Sequence, residues 1–192
     1  MTDTNSKTDT SADKAENKTL ILYFSAGNSK NSDAISSATP TGNGYYSTQQ
    51  LAVLIHDEVG GDLVALTPTN AYPLGYDETA DQAKDEADSN ARPQFEDIGV
   101  NMEDYDTIYF GYPIWWYTVP MIVNTFFDTY DFSGKTIIPF NTHAGSGDGG
   151  TYNTIRELEP NADVKEGLAV SGSSVFDEET KQQVKDRLLG LD

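Results

Sequence analysis

Thr19-Leu20-Ile21-Leu22-Tyr23-Phe24 is a continuous apolar run stopped by Ser25-Ala26-Gly27-Asn28, the pattern of a strand buried on both faces. Similar short apolar runs return at 63–66, 107–112, 136–140 and 167–170. Helical patterns lie between them. Leu51, Leu54, Ile55 and Val59 recur at helical spacing after Ser47-Thr48 and before Gly60-Gly61, which predicts a capped helix. Further helices are expected over 78–89, 119–130, 151–158 and 177–189. Strands that alternate with helices call for βαβ units and a parallel sheet. The expected fold class is therefore α/β: a doubly wound, five-stranded parallel sheet in a three-layer α/β/α sandwich. Ligands of such sheets bind beyond the carboxyl ends of the strands, at the switch point.

Residues 1–17 contain no large apolar side chain after Met1, so they cannot bury enough surface to offset their ordering entropy. They are read as a disordered tail or linker, and 18–192 as one folded domain. No stretch approaches the roughly 20 apolar residues of a membrane span, and the start lacks a signal-peptide core. A cytoplasmic location is expected; the alternative is the soluble part of a membrane-tethered cell-surface protein whose N-terminal anchor has been removed. Cysteine is absent, which excludes a thiol nucleophile, a disulfide framework and a Cys-type metal site. His56 and His143 are far apart in sequence and no HExxH motif is present, so nothing supports a transition-metal site.

Charge narrows the partners. With 31 acidic against 12 basic residues the net charge is −19, which argues against nucleic acid and against anionic lipid surfaces. Eleven acidic and two basic residues fall between Asp77 and Asp106, so 2 − 11 = −9 of that charge lies in one stretch. Such a field steers small molecules or basic proteins.

Three loops carry the unusual composition. After the first strand, Ser25, Gly27 and Asn28 begin a Ser-, Thr- and Gly-rich segment that ends in Ser47-Thr48-Gln49. Hydroxyls and unpaired amides at a helix N-terminus suit a phosphate monoester. The plainer alternative is a polar loop with an ordinary N-cap. No Gly-Lys-Ser or Gly-Lys-Thr follows, so this is not a P-loop. After the third strand comes Pro113-Ile114-Trp115-Trp116-Tyr117, which holds both tryptophans of the chain. Adjacent indoles tend to point apart, so at least one is expected to face a cleft and a flat aromatic ligand. After the fourth strand, Thr142-His143-Ala144-Gly145-Ser146-Gly147 opens a segment with four glycines in ten residues. Its main chain could reach the heteroatom edge of a ring, with His143 as a hydrogen-bond partner or proton donor. No Gly-x-Ser-x-Gly elbow is present to suggest a hydrolase.

In combination these blocks resemble the flavodoxin family: Tyr23-Phe24-Ser25; Tyr105-Asp106-Thr107 leading into Gly111-Tyr112-Pro113-Ile114-Trp115-Trp116; and Phe132-Ser133-Gly134-Lys135-Thr136 followed by Thr142-His143-Ala144-Gly145-Ser146-Gly147. The likeness runs over about 19–191 and is nearest the branch with Pro-x-Trp-Trp and Thr-His-x-Gly-Ser-Gly loops. It implies one noncovalently bound FMN. By position, Ser25, Gly27, Asn28, Ser47, Thr48 and Gln49 would cradle the phosphate. Pro113, Ile114, Trp115, Trp116 and Tyr117 would lie along the ring, with Thr142, His143, Ala144, Gly145, Ser146 and Gly147 on its other edge. The first loop departs from the family form, because some twenty residues separate Ser25-Ala26-Gly27-Asn28-Ser29 from Leu51.

The expected function is an electron carrier rather than an enzyme. A carboxylate about 8 Å from a reduced ring would oppose its negative charge by roughly 0.5 to 2 kcal/mol, lowering the potential, and the acidic surface would select a basic redox partner. Two alternatives are an NAD(P)H-dependent quinone reductase and a non-redox nucleotide-binding module. The first would want a basic residue near the ring, and these loops offer only Lys30.

Overall fold

The computed structural model describes residues 18–26, 46–73 and 75–190. The expected tail 1–17, together with Gly27 and Asn28, lies outside the described residues. The elements run β1 (Thr19–Phe24), α1 (Ser47–Val59), β2 (Asp62–Leu66), α2 (Tyr76–Asp88), β3 (Thr107–Pro113), α3 (Met121–Thr129), β4 (Thr136–His143), α4 (Thr151–Leu158), β5 (Asp163–Val164), β6 (Leu168–Ser171) and α5 (Glu178–Leu188). All pairings between these strands are parallel, and the sheet order is β2-β1-β3-β4-β5, with β6 also on β4.

The fifth sheet position differs from expectation. It is two short pieces, β5 opposite Thr136 and Ile137, and β6 opposite Phe140 to His143. One residue more separates the two pieces than separates their partners on β4, so Lys165-Glu166-Gly167 interrupts the ladder much as a bulge does. The doubly wound order is unchanged by this break.

Side-chain alternation explains why the apolar runs are continuous. Leu20, Leu22 and Phe24 of β1, Ile108, Phe110 and Tyr112 of β3, and Ile137 of β4 face one layer, where Ile122, Val123, Phe126 and Phe127 of α3 cover them. Ile21, Tyr23, Tyr109, Ile138 and Phe140 face the other, under Leu51 and Ile55 of α1 and Val184 and Leu188 of α5. The central strands β1, β3 and β4 are thus apolar on both sides, as a sheet between two helical layers requires. Gly111 sits between these layers because a Cβ there would lie 2.1 Å from the Phe140 ring.

The start of α1 also differs. The cap position is Tyr46, extended at φ −85° and ψ 164°, and it makes no side-chain cap bond. Ser47 and Thr48 are the first helical residues instead of the cap. Their hydroxyls reach across the molecule to Thr142. Among the described residues, no helix is long and apolar enough to cross a membrane.

Candidate functional site

The loops after β3 and β4 are joined at the carboxyl end of the sheet. The Ile114 N–H donates to the Thr142 carbonyl at 2.8 Å, which extends the β3–β4 pairing past the end of the strand. Directly beyond, Trp115 and Thr118 exchange two backbone hydrogen bonds, of 3.0 and 2.9 Å. The two residues between them are left-handed, with φ 50° at Trp116 and 60° at Tyr117. Positive φ at both central positions is the mark of a type I′ turn, which ordinarily takes Asn-Gly. Two bulky aromatic residues there are strained, and such strain collects at functional sites.

The turn sends the two indoles in opposite directions. Trp115 is 2% exposed and packs edge-on against Phe24 (5.4 Å between ring centroids) and Tyr72 (5.0 Å). Trp116 is 46% exposed, its N–H donates to the Ala80 carbonyl of α2 at 2.9 Å, and the Lys84 ammonium lies 5.8 Å from its ring centroid. Trp116 and Tyr117, with Tyr76 and Ile114, form one wall of a cleft of about 450 Å³; Ala144, Gly145 and Ser146 form the other. That volume lies within the roughly 300 to 1,000 Å³ of small-molecule sites. None of these lining residues carries a charge.

A buried polar network holds the second wall from below. Asn141 is fully buried; its Nδ2 donates to the Gly147 carbonyl at 3.0 Å and its Oδ1 accepts from the Tyr152 hydroxyl at 2.7 Å. Tyr112 and Thr151 share a hydroxyl–hydroxyl bond of 2.9 Å, and Thr151 donates to the Asp148 carbonyl. At Gly149, φ is 59° and a Cβ would stand 3.3 Å from the Tyr117 carbonyl oxygen, so the two loops touch there. At the end of β4, His143 Nδ1 accepts the Gly145 N–H at 3.0 Å. Burial lowers the His143 pKa below its ordinary value, while the charge of Asp148 opposes that shift. A neutral ring accepting at Nδ1 carries its proton on Nε2.

Thr142 connects this cleft to the start of α1. Its Oγ1 accepts from Ser47 Oγ at 3.4 Å and shares a 2.7 Å bond with Thr48 Oγ1. The first turn of α1 contains no acidic residue, so the field there favours an anion. Gln49, Ser25, Tyr23 and Tyr46 surround a smaller hollow of about 140 Å³ beside it.

The structure therefore gathers Ile114, Trp116, Tyr117, Ala144, Gly145 and Ser146 around one cleft, joined through His143 and Thr142 to Ser47 and Thr48. Pro113 closes β3, and Gly147 is held by Asn141. The Trp115 side chain points into the core, away from the cleft. Tyr76, Asn141, Thr151 and Tyr152 were not indicated by the sequence; only Tyr76, next to the acidic stretch, carries a local signal. Uncharged aromatic and main-chain walls suit a flat, heteroatom-rich ring, and the helix terminus suits a phosphate. The donor set fits a flavin mononucleotide.

The flavodoxin family pattern matches residues 18–187. Among solved structures, a candidate flavoprotein of Bacteroides uniformis is 28% identical over 90% of this chain and 98% of its own, with a TM-score of 0.71. Another from Bacteroides eggerthii is 26% identical over 92% and 98%, also at 0.71. A flavoprotein of Lactobacillus acidophilus solved in complex with FMN shares the fold at 21% identity, covering 83% of this chain and 97% of that one, with a TM-score of 0.62. No curated protein matches. With the family pattern spanning nearly the whole described chain and the parallel order β2-β1-β3-β4-β5 beneath it, this chain belongs to the flavodoxin family.

Proposed function

We propose that this protein binds one FMN noncovalently and works as an electron carrier that meets a basic redox partner. The observation that carries the reading is the rim of the cleft. Four large hydrophobic side chains are exposed among the described residues, and three of them, Tyr76 (52%), Trp116 (46%) and Tyr117 (76%), stand together at its mouth. An exposed aromatic cluster beside a ligand cleft marks a contact surface.

Bound FMN supplies one- and two-electron chemistry. The residues' part is to hold and shield it. Trp116 and Tyr117 offer flat faces to one side of a ring, and the main chain of Ala144 to Ser146 offers polar groups to its edge. The α1 terminus, with Ser47, Thr48 and Thr142, is the anchor for the phosphate. Helix α2, fixed to the rim through Trp116, carries six acidic residues against Lys84 alone. Its field disfavours added negative charge in the cleft and attracts a cationic partner.

No basic side chain stands among the described lining residues, which disfavours a nicotinamide dinucleotide as direct donor; Lys30 lies outside the described residues. Lys84 is already paired with Asp88 at 2.8 Å. The test is an anaerobic titration of the FMN-loaded protein. A carrier stays yellow with NADH or NADPH alone, bleaches when a flavodoxin reductase is added, and passes electrons at a rate that falls with salt. Rapid bleaching by NADPH alone would overturn the carrier in favour of a reductase, and failure to take up FMN would favour a non-redox module.

A further inference from the structure

Behind the cleft wall, Trp115, Tyr72 and Glu86 form a chain that does not line the cleft. Trp115 and Tyr72 are both buried, with centroids 5.0 Å apart and planes at 80°. Phe24 packs on both rings and excludes water from the pair. The Tyr72 hydroxyl donates to Glu86 Oε2 at 2.8 Å, and Gln82 Nε2 holds the other carboxylate oxygen at 2.9 Å. Trp116 is one peptide bond from Trp115 and stands in the cleft.

Proton acceptors are distributed unequally along this chain. The Trp115 indole N–H is buried and has no hydrogen-bond partner among the described residues. The Tyr72 phenol has a carboxylate. An indole that loses an electron becomes acidic at nitrogen, but with no acceptor within reach it keeps its proton and remains a strongly oxidising cation. A phenol that loses an electron is far more acidic, and here the proton needs to move only along one existing hydrogen bond. Burial and the Glu86 charge raise the Tyr72 pKa, so the neutral phenol is the resting form and the proton leaves together with the electron.

We propose that Trp116, Trp115 and Tyr72 form a relay that carries a one-electron oxidising equivalent away from the cleft, with Glu86 as its proton acceptor. The steps balance: the Trp116 radical cation takes one electron from Trp115 across their shared peptide bond, the Trp115 radical cation takes one electron from Tyr72, the Tyr72 proton passes to Glu86, and the products are neutral Trp116 and Trp115, a tyrosyl radical and a protonated Glu86. The initiating oxidant is any one-electron oxidant that reaches the exposed Trp116. The effect is to move a damaging radical from the ligand wall into the packing beneath α2. Tyr76 and Tyr117 are nearer the entry point, but neither hydroxyl has a protein acceptor among the described residues, so their oxidation lacks this proton path. The relay depends on these side chains alone and stands whether or not the cleft takes FMN.

The experiment is pulse radiolysis of the ligand-free protein with azide radical, which oxidises tryptophan, followed by time-resolved absorption. In the unchanged protein the indole radical should convert to a tyrosyl radical with a rate independent of protein concentration. Tyr72→Phe should leave a persistent indole radical. Glu86→Gln, which keeps the shape but removes the base, should slow conversion at least about tenfold, since an amide oxygen is a far weaker proton acceptor than a carboxylate. Near-UV circular dichroism of both variants checks that the packing survives. Conversion at the original rate in either variant, or a conversion in the unchanged protein that scales with concentration, would overturn the relay.

Discussion

The Trp116 indole N–H and the Ala80 carbonyl are joined at 2.9 Å, and this bond fixes the rim of the cleft to the acidic helix α2. Trp116 is therefore a wall of the ligand site and also its link to the charged surface. Trp115, its neighbour in sequence, is a core residue. The two should respond to truncation in opposite ways. Trp116→Ala should weaken FMN binding about tenfold, roughly 1 to 2 kcal/mol for the loss of one stacking wall, with little change in folding. Trp115→Ala should cost about 3 to 5 kcal/mol of stability by leaving a large cavity. Fluorescence titration and urea unfolding of the pair separate the roles, and the reverse pattern would show that the assignment is inverted.

Tyr117 gives a test of strain. Its φ is 60° and its side chain is mostly exposed, so glycine there relieves a left-handed conformation while giving up little packing. Left-handed strain is of order 1 to 3 kcal/mol, and the added unfolded-state entropy of glycine takes back about 0.4 to 1. Tyr117→Gly should then stabilise the ligand-free protein by about 1 kcal/mol and weaken FMN binding. Urea midpoints without ligand measure the first effect. A loss of stability would mean that the Tyr117 ring packs more than its exposure indicates.

How much of this was legible in the sequence depends on how local the cause was. The strands were readable because burial on both faces leaves a continuous apolar run, as in Thr19–Phe24. The break between β5 and β6 was not, because Asp163–Val164 is too short and polar to be seen as a strand. Ser47 and Thr48 looked like caps because hydroxyls beside a helical pattern ordinarily are; their partner Thr142 is 94 residues from Thr48. That Trp116 faces the cleft and Trp115 the core follows from a turn whose usual residues, Asn and Gly, are absent. Nothing local predicts the Asn141–Tyr152 bond, since Asn141 reads as the start of a polar loop and Tyr152 as ordinary helix content.

Glu159 gives a pH dependence of stability. It follows α4 half-buried, and desolvation, then repulsion from Asp131 and Asp128, raise its pKa from 4.5 to about 7. The folded state therefore binds more protons than the unfolded state between these values. By linkage, Glu159 lowers stability as pH rises from about 4.5 through 7, and acidification over that window recovers it. Discounted for solvent screening, the effect should be about 1 kcal/mol. Glu159→Gln should be the more stable form at pH 8, and the gap should close by pH 5. Urea unfolding at the two pH values checks this, and an equal difference at both would remove Glu159 as the source.

Tyr152 tests whether the second cleft wall depends on its buried support. Tyr152→Phe removes only the hydroxyl that donates to Asn141 Oδ1, leaving that oxygen buried without its donor. An unsatisfied buried acceptor costs about 1 to 3 kcal/mol. Because the other end of the same amide holds the Gly147 carbonyl, part of that cost should appear as loosening of the 144–147 loop. Amide exchange at Gly149, whose N–H donates to Ser146, should accelerate more than exchange in β3. FMN affinity should fall while α1, reached through Thr142, keeps its protection. Uniformly faster exchange across β3, β4 and α1 would instead mean that Tyr152 supports the core as a whole and has no specific role in setting the cleft wall.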